Sequence, residues 1–428
     1  MLSHSRLSQT RRKNEKQQRT IKNTQPMKEQ YYLDNAATTW PKPESVYVNM
    51  DQFFRNYGVN PGRAGHEMAV EAERMITETR RLLASFFNHQ GDPHRVVFTQ
   101  NATDSLNMTL FGLVQPGDHV ITTRTEHNSV IRPTNHMARD MGVSVSQIAR
   151  DAAGYVDPMD IKNAITSKTK LIVVNHASNV LGSVQDIEAI GRIAREAGVL
   201  FVVDTCQTAG VLDIDMQRDC IDVLTFTGHK GLFGPMGIGG LVVGDEVDIR
   251  PARVGGTGVD SITPYQPELY PYHLEAGTVS IPGIAGLNAA QKWFAELGKE
   301  QGAPDATDHR ICCSHALKHI ESVEVAHITH LANAFNAMDG VKVYGPTGDR
   351  PRVATLSINI GNMPADQAGT MLDADHYVCV RAGLHCAPWV HEDEKTVDQK
   401  GMVRFSPGYF ADDEDIQQAI DGVDSLAH

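Results

Sequence analysis

Several polar residues of this chain stand directly behind short apolar runs. Asn101 and Thr103 follow Val96-Val97-Phe98, and Glu126-His127 follow the run ending near Thr122. Ser178 and Asn179 follow Leu171–Asn175, Asp204 closes Leu200-Phe201-Val202-Val203, and Lys230 follows Val223–Phe226. If the runs are strands of an open α/β sheet, these residues gather at its carboxyl edge, where ligands bind. A lysine buried beside a glycine-rich turn can form a Schiff base, and a neighbouring acid can keep a pyridinium nitrogen protonated. Lys230 and Asp204 suit those two tasks. Asn101-Ala102-Thr103, opening a helix, offers backbone N–H groups, a hydroxyl and the positive end of the helix dipole to a phosphate. His127 can lie against the ring face and exchange protons with the reacting centre. The set describes a site for pyridoxal 5'-phosphate held by Lys230.

Each residue also has a plainer reading. An Asp after a strand is often a cap or a turn residue, and an Asn at a helix start is commonly a cap. A His-Lys pair is usually solvated. The glycines of Gly234-Pro235-Met236-Gly237-Ile238-Gly239-Gly240 form no P-loop, because no Gly-Lys-Ser/Thr closes them. They suit a tight turn beside the lysine. Five such positions at one edge favour the site over the plainer readings.

The elements that must position these residues alternate. His66 to Phe87 has a near-helical apolar period, and Arg95–Thr99 is a short buried-strand candidate. Further apolar runs lie at His119–Thr122, Leu171–Asn175, Val199–Val203, Val223–Phe226 and Gly237–Val243, with a helical stretch at Asp186–Ala197. Strands alternating with helices imply a mainly parallel sheet covered on both faces. Beyond Gly283 the texture changes. A long helical stretch from Leu287 to His330 precedes isolated strands near Thr355–Ile360, Tyr377–Val380 and Met402–Phe405, and a last amphipathic helix spans Asp412 to Leu426. The fold class is therefore α/β, with a large mainly parallel-sheet domain over 31–285 and a smaller α+β C-terminal domain over 286–428. The segment that opens the large domain is expected to pack on the small one.

Composition sets limits. A formal charge of −13 argues against nucleic acid as a partner, since phosphate backbones need a basic surface. No run of about eighteen apolar residues appears, so no membrane span is expected. Residues 1–30 are basic and poor in apolar side chains, which suits a disordered tail upstream of Met27 and lacks the apolar core of a signal peptide. The six cysteines, Cys206, Cys220, Cys312, Cys313, Cys379 and Cys386, show no disulfide framework and no metal-ligand spacing. They suit thiols in a reducing cytoplasm, with no metal. Cys220, Cys312 and Cys313 suit burial, as free cysteines commonly do. Cys386 differs, because it sits in a Gly-rich loop closed by Pro388, with Arg381 and His385 near enough in sequence to favour a thiolate.

The segment Tyr32-Leu33-Asp34-Asn35-Ala36-Ala37-Thr38-Thr39 resembles the opening signature of fold-type I pyridoxal-phosphate enzymes of the class V aminotransferase group. The resemblance continues through Ser178-Asn179-Val180-Leu181-Gly182, Val203-Asp204-Thr205-Cys206-Gln207 and Thr227-Gly228-His229-Lys230. It resumes at Glu275-Ala276-Gly277-Thr278 and Arg381-Ala382-Gly383-Leu384-His385-Cys386-Ala387-Pro388. It runs from about Tyr31 to Leu426 and lies nearest the cysteine desulfurase and selenocysteine lyase branch, on its group II (SufS-like) side. It implies that Lys230 carries the cofactor, Asp204 faces the ring nitrogen, Gln207 donates to the ring oxygen and His127 stacks on the ring. It implies that Asn101, Ala102, Thr103, Thr227 and His229 bind the phosphate, with Thr278 arriving from the other subunit of a homodimer. Asn179 and Arg404 would hold the substrate carboxylate, with Arg381 and His66 also on the substrate side. A planar guanidinium grips a carboxylate with two hydrogen bonds, which favours Arg404 on chemical grounds too.

Two features depart from the family pattern. Gln100-Asn101-Ala102-Thr103 stands where many relatives have a glycine and two threonines, and Thr205-Cys206 replaces the common Gly-Ala. Asn60-Pro61-Gly62-Arg63-Ala64-Gly65-His66 resembles a desulfurase-like subset. The resemblance implies conversion of L-cysteine to L-alanine, with a persulfide formed on Cys386 and passed to an acceptor protein or thiol. Within the same chemistry the alternatives are a selenocysteine lyase, a cysteine-sulfinate desulfinase or another C–S lyase. Of another class is a non-catalytic binding protein on the same fold.

Overall fold

A computed structural model describes residues 30–61 and 65–428. The basic tail expected over 1–30, apart from Gln30, and Gly62-Arg63-Ala64 lie outside the described residues. Strand β1 (Tyr31–Tyr32) and helices α1 (Glu44–Tyr57) and α2 (Glu67–Phe86) precede the large sheet. Its strands are β2 (Val96–Thr99), β3 (His119–Thr123), β4 (Ser144–Ile148), β5 (Thr169–Asn175), β6 (Leu200–Asp204), β7 (Val223–Thr227) and β8 (Gly239–Val243). Between them run α3 (Ala102–Leu113), α4 (Asn128–Met141), α5 (Pro158–Ala164) and α6 (Ile187–Ala197). The sheet order is β2-β8-β7-β6-β5-β3-β4, and β8 is antiparallel to both its neighbours. The strands β2, β3, β5, β6 and β7 therefore end on one side.

Strands β2, β3, β7 and β8 are buried along their whole length because both faces of the sheet are covered. One face packs Phe87, Phe201, Phe226, Phe233 and Phe294 together, and the other packs Leu106, Val120, Val173 and Val202. Each fully buried phenylalanine contributes about 1.5–3 kcal/mol by leaving water. Helix starts follow local chemistry. Asp186 caps α6 by accepting from Ala189 N–H, and Gly198 ends it in the left-handed conformation.

The single long helix expected over Leu287–His330 is two, α7 (Ile281–Glu300) and α8 (His309–Asn336). Gly302 at φ 138° and Pro304 lie in the break between them. After α8 come β9 (Val341–Tyr344), β10 (Leu356–Ile360), α9 (Ala365–His376), β11 (Val378–Cys379), β12 (Arg381–Gly383), α10 (Pro388–Asp393), β13 (Met402–Phe405) and α11 (Asp413–Ala427). The second sheet runs β12-β13-β10-β9, all antiparallel, while β1 pairs with β11 in parallel. Leu33 is buried in the same cluster as Leu356 and Phe405, so the N-terminal segment packs on the small sheet. Packing changes hands within α8: Cys313, Ala316, Leu317 and Ile320 belong to the large core, Ile328, Leu331 and Phe335 to the small one.

One buried ion pair braces the large sheet. Glu275 accepts from both Arg80 guanidinium nitrogens at 2.8 Å, and its Oε1 also accepts from Phe98 N–H at 2.7 Å. Both side chains are almost fully buried. Removing one partner leaves the other charge buried and unpaired. Glu275→Ala is therefore expected to lower unfolding free energy by roughly 3–5 kcal/mol in urea denaturation. A loss under about 1 kcal/mol would show that water replaces the carboxylate.

Candidate functional site

The carboxyl ends of the parallel strands open into a cavity of about 210 Å³. Asn101, Ala102, Thr103, His127, Asn179, Asp204, Gln207, Thr227, His229, Lys230, Arg381 and Arg404 line it, as do Ala36, Ser129, Asn175 and Cys206. Twelve of the residues expected at the site thus share one cavity. Asp204 ends β6 beside Asn175 of β5, is buried, and accepts from Cys206 N–H at 3.0 Å. Lys230 follows β7. Burial pushes its ammonium below the ordinary lysine value; Arg404 and Arg381 add to that, while Cys206 and Asp204 oppose it. A lysine so placed carries a free amine more readily than one on the surface.

At the phosphate side, Asn101 caps α3, its side chain accepting from Asp104 N–H at 3.0 Å. The cap role and the site coexist, since the first-turn N–H groups of Ala102 and Thr103 have no partner inside the helix. Gly239 of β8 is needed here, because a Cβ there would stand 2.7 Å from Asn101 Cα. Thr227 Oγ1 and His229 Nδ1 are buried without a hydrogen-bond partner. Burial, with Lys230 and then Lys42, pushes His229 down to about 4, so its ring is neutral at physiological pH. Orphaned polar atoms lining a cavity mark where a ligand's polar group belongs, and here the donors suit a phosphate.

His127 precedes α4 and caps it. Its Nδ1 accepts from Ser129 N–H at 3.1 Å and lies 2.8 Å from that residue's hydroxyl. Burial and Lys230 push its pKa down to about 4, so the ring is neutral. With Nδ1 serving as an acceptor, the hydrogen sits on Nε2. Gln207 Nε2 donates to Ala36 O at 3.1 Å.

On the substrate side, Arg404 of β13 stands opposite Arg381 of β12. Arg404 is almost fully buried. Its Nη2 lies 2.6 Å from Asp34 Oδ1, its Nη1 donates to Asn179 O at 3.1 Å, and its Nε has no partner. Arg381 Nη2 is 3.8 Å from Cys386 Sγ. His385 and Cys386 both adopt left-handed backbone, φ 49° and 57°, costing on the order of 1–2 kcal/mol each. The loop is held in that shape from the large sheet: Asn179 Nδ2 donates to His385 O and Asn128 N–H to Cys386 O, both at 2.7 Å.

Expectation and structure differ at several residues. His385 does not supply positive charge to the thiol. It is buried, and burial together with Arg404 holds its pKa well below the ordinary value, so it is neutral. Among the described residues, Arg381 is the cation that stands beside Cys386. His66 is exposed and caps α2, its Nδ1 accepting from Ala69 N–H at 3.2 Å; it does not line the cavity. Thr278, expected to act across a subunit interface, lines in its own chain a neighbouring cleft that Asn101 and His229 also border. Burial pushes the thiols of Cys206, Cys220, Cys313 and Cys379 up, which disfavours the reactive thiolate there.

The sequence assigns no role to Asp34 or to Glu126 beyond their places in the opening signature and behind a strand. Asp34 stands in the opening signature, but its partner is 370 residues away. Glu126 is fully buried, its Oε1 accepting from the Thr123 hydroxyl at 2.7 Å and from Asn175 N–H at 3.0 Å. Burial raises its pKa from 4.5 to about 8, so it is protonated at neutral pH. Its position between the end of β3 and His127 was the available signal.

Residues 31–419 match the family model described as aminotransferase class-V. The probable cysteine desulfurase of Methanothermobacter thermautotrophicus is 33% identical over 94% of this chain and 96% of its own length. That of Pyrococcus abyssi is 31% identical over 83% of this chain and 84% of its own. The apo structure of cysteine desulfurase from Thermococcus onnurineus NA1 superposes with a TM-score of 0.82 at 30% identity, covering 92% of this chain and 94% of that one. The Escherichia coli cysteine desulfurase CsdA gives 0.79 at 26% identity, covering 93% and 94%.

Two outcomes are expected. Lys230→Ala loses the visible absorbance of lysine-bound cofactor, and Asp204→Asn keeps it but lowers turnover on the order of 10²–10³-fold. Retention of the absorbance in Lys230→Ala would assign the attachment elsewhere. Glu126 retains its proton up to about pH 8 when folded but loses it above 4.5 when unfolded. Its stabilising contribution is full below pH 4.5 and lost as pH rises through 8. Glu126→Gln should therefore lose less stability than the parent between pH 5 and 8.5, by thermal unfolding at each pH; parallel curves would contradict a buried neutral acid.

Proposed function

Since the chain belongs to the aminotransferase class-V family, we propose that it is a pyridoxal-phosphate-dependent cysteine desulfurase, taking L-cysteine to L-alanine and leaving the sulfur on Cys386. The observation that carries this reading is that Arg381, which lines the cavity with Lys230 and Asp204, holds its guanidinium 3.8 Å from Cys386 Sγ, a residue just outside that lining.

Pyridoxal phosphate, when bound, would supply an electron sink for the charge left when the proton departs from Cα and the sulfur from Cβ. Lys230 would hold it, Asp204 would pair with its ring nitrogen, and Thr103, Thr227 and His229 would take its phosphate. Arg404 receives the substrate carboxylate through its free Nε, beside the nitrogens already spent on Asp34 and Asn179 O. The Lys230 amine, its protonated form disfavoured by burial, takes the Cα proton. His127, neutral with its hydrogen on Nε2, serves as a proton donor to the reacting centre. Arg381 stabilises the Cys386 thiolate, which attacks the substrate sulfur. An S–S bond forms as Cβ–S breaks. The two electrons of the broken bond stay with carbon, which is protonated to the methyl group of alanine. The persulfide then passes to an acceptor protein or thiol.

A homodimer fits the same reading. Thr278 does not line the cavity of its own chain but a separate cleft that it shares with the exposed Leu269. A second copy covering that surface would bring Thr278 to its partner's phosphate site.

Cys386→Ala should still load cofactor and keep the parent's visible spectrum, yet release alanine from cysteine at least about 10²-fold more slowly. Alanine release from selenocysteine should fall much less, because selenium leaves more readily. Parent-rate desulfuration by Cys386→Ala would remove Cys386 from the mechanism.

A further inference from the structure

Between Asp34 and Lys42 the chain forms a strap across the site. Asp34 holds Arg404, and Ala36 O accepts from Gln207. Ala36 N–H donates to Ser406 Oγ at 3.0 Å, tying the strap to the small sheet. Its far end closes on one peptide group, the one between His229 and Lys230. His229 O accepts from the Thr38 hydroxyl at 3.0 Å, from Thr39 N–H at 3.1 Å and from Lys42 Nζ at 3.0 Å. The Thr39 hydroxyl lies 3.1 Å from Lys230 O, and Lys42 Nζ also donates to Thr39 O at 3.0 Å and to Thr39 Oγ1 at 2.9 Å.

Three donors within 3.1 Å of one carbonyl oxygen exceed its two lone pairs. The acceptors of Lys42 are all neutral: Thr39 O, Thr39 Oγ1, and His229 O, which Thr38 and Thr39 already serve; among the described residues no carboxylate pairs with it. Burial accordingly pushes its pKa down to about 8. Placing an ammonium there works against folding. What it does achieve is to fix the backbone from which the cofactor lysine springs. A lysine that must both carry the cofactor and reach a substrate proton tolerates little error at its root, where about 1 Å can cost on the order of 10²-fold in rate.

We propose that Lys42 is a positioning residue: its ammonium, with the Thr38 and Thr39 hydroxyls, clamps the His229–Lys230 peptide and so sets where Lys230 Nζ stands. Lys42 touches neither substrate nor cofactor and acts through Lys230. The same strap carries Asp34, so substrate arginine and cofactor lysine share one anchor. The inference rests on Lys230 being the cofactor's attachment point.

Lys42→Met, Lys42→Arg and Thr39→Val are compared with the parent as loaded enzymes. The readouts are visible-region circular dichroism of the bound cofactor, kcat and KM for cysteine, and far-ultraviolet dichroism as a check on folding. In Lys42→Met the visible dichroism should fall by about half or more, and kcat by about ten- to a hundredfold, with KM within about threefold of the parent. Thr39→Val should move in the same direction, and Lys42→Arg, which returns cationic donors, should recover most of both signals. Unchanged visible dichroism and kcat in both Lys42→Met and Thr39→Val would overturn the inference. So would equal impairment of the Met and Arg variants, since returned donors would then have restored nothing. A parent lacking any Lys230-dependent absorbance would instead sink the reading beneath it.

Discussion

Two guanidinium groups face each other across one antiparallel strand pair, and the site is organised by that repulsion. Like charges directly opposite in a sheet are destabilising, and Arg404 is also stripped of water. Asp34 offsets one charge at 2.6 Å, but Arg404 Nε stays unsatisfied and Arg381 has a thiol as its neighbour at 3.8 Å. The two arginines are thereby left short of hydrogen-bond acceptors. On the proposed function, a substrate carboxylate would fill that deficit at Arg404 and a thiolate at Arg381.

Satisfying that deficit draws distant parts of the chain together. Asp34 comes from the N-terminal strap, Arg404 and Arg381 from the small sheet, Asn179 from the carboxyl edge of the large sheet. Asn179 serves twice, its backbone oxygen on Arg404 and its amide on His385 O. The strained turn at His385 and Cys386 persists because the large sheet holds both carbonyls of the turn. The thiol's loop and the cofactor's cavity are thus parts of one rigid frame, consistent with strain being stored where a fold over-determines it.

Much of this was legible in the sequence for a local reason. Strands covered on both faces must be apolar along their whole length, so β5, β6 and β7 stand out, and so do Asp204 and Lys230 behind them. Strand β4 escaped because it is an edge strand, Ser-Val-Ser-Gln-Ile, half exposed and polar at alternate positions. The break between α7 and α8 was masked by helical residues on both sides of it. Partnerships between distant residues carried no local signal: Arg80 with Glu275 lies 195 residues apart, Lys42 with His229 lies 187. The misassigned charge on His385 has the same origin, since proximity in sequence says nothing of burial. Family motifs recovered the rest, including Gln207 and Thr227, whose types alone suggest little.

Among the six thiols, four are pushed away from thiolate by burial, while Cys386 lies 3.8 Å from the guanidinium of Arg381, which lines the cavity. The central claim is that sulfur passes through that atom. Its most direct test is mass spectrometry of the loaded enzyme after brief exposure to cysteine, with thiols capped before digestion. The account predicts one added sulfur atom on the peptide bearing Cys386, appearing with alanine and leaving when an acceptor thiol is supplied. Alanine accumulating with no sulfur on that peptide, or with the sulfur on Cys206, would contradict it.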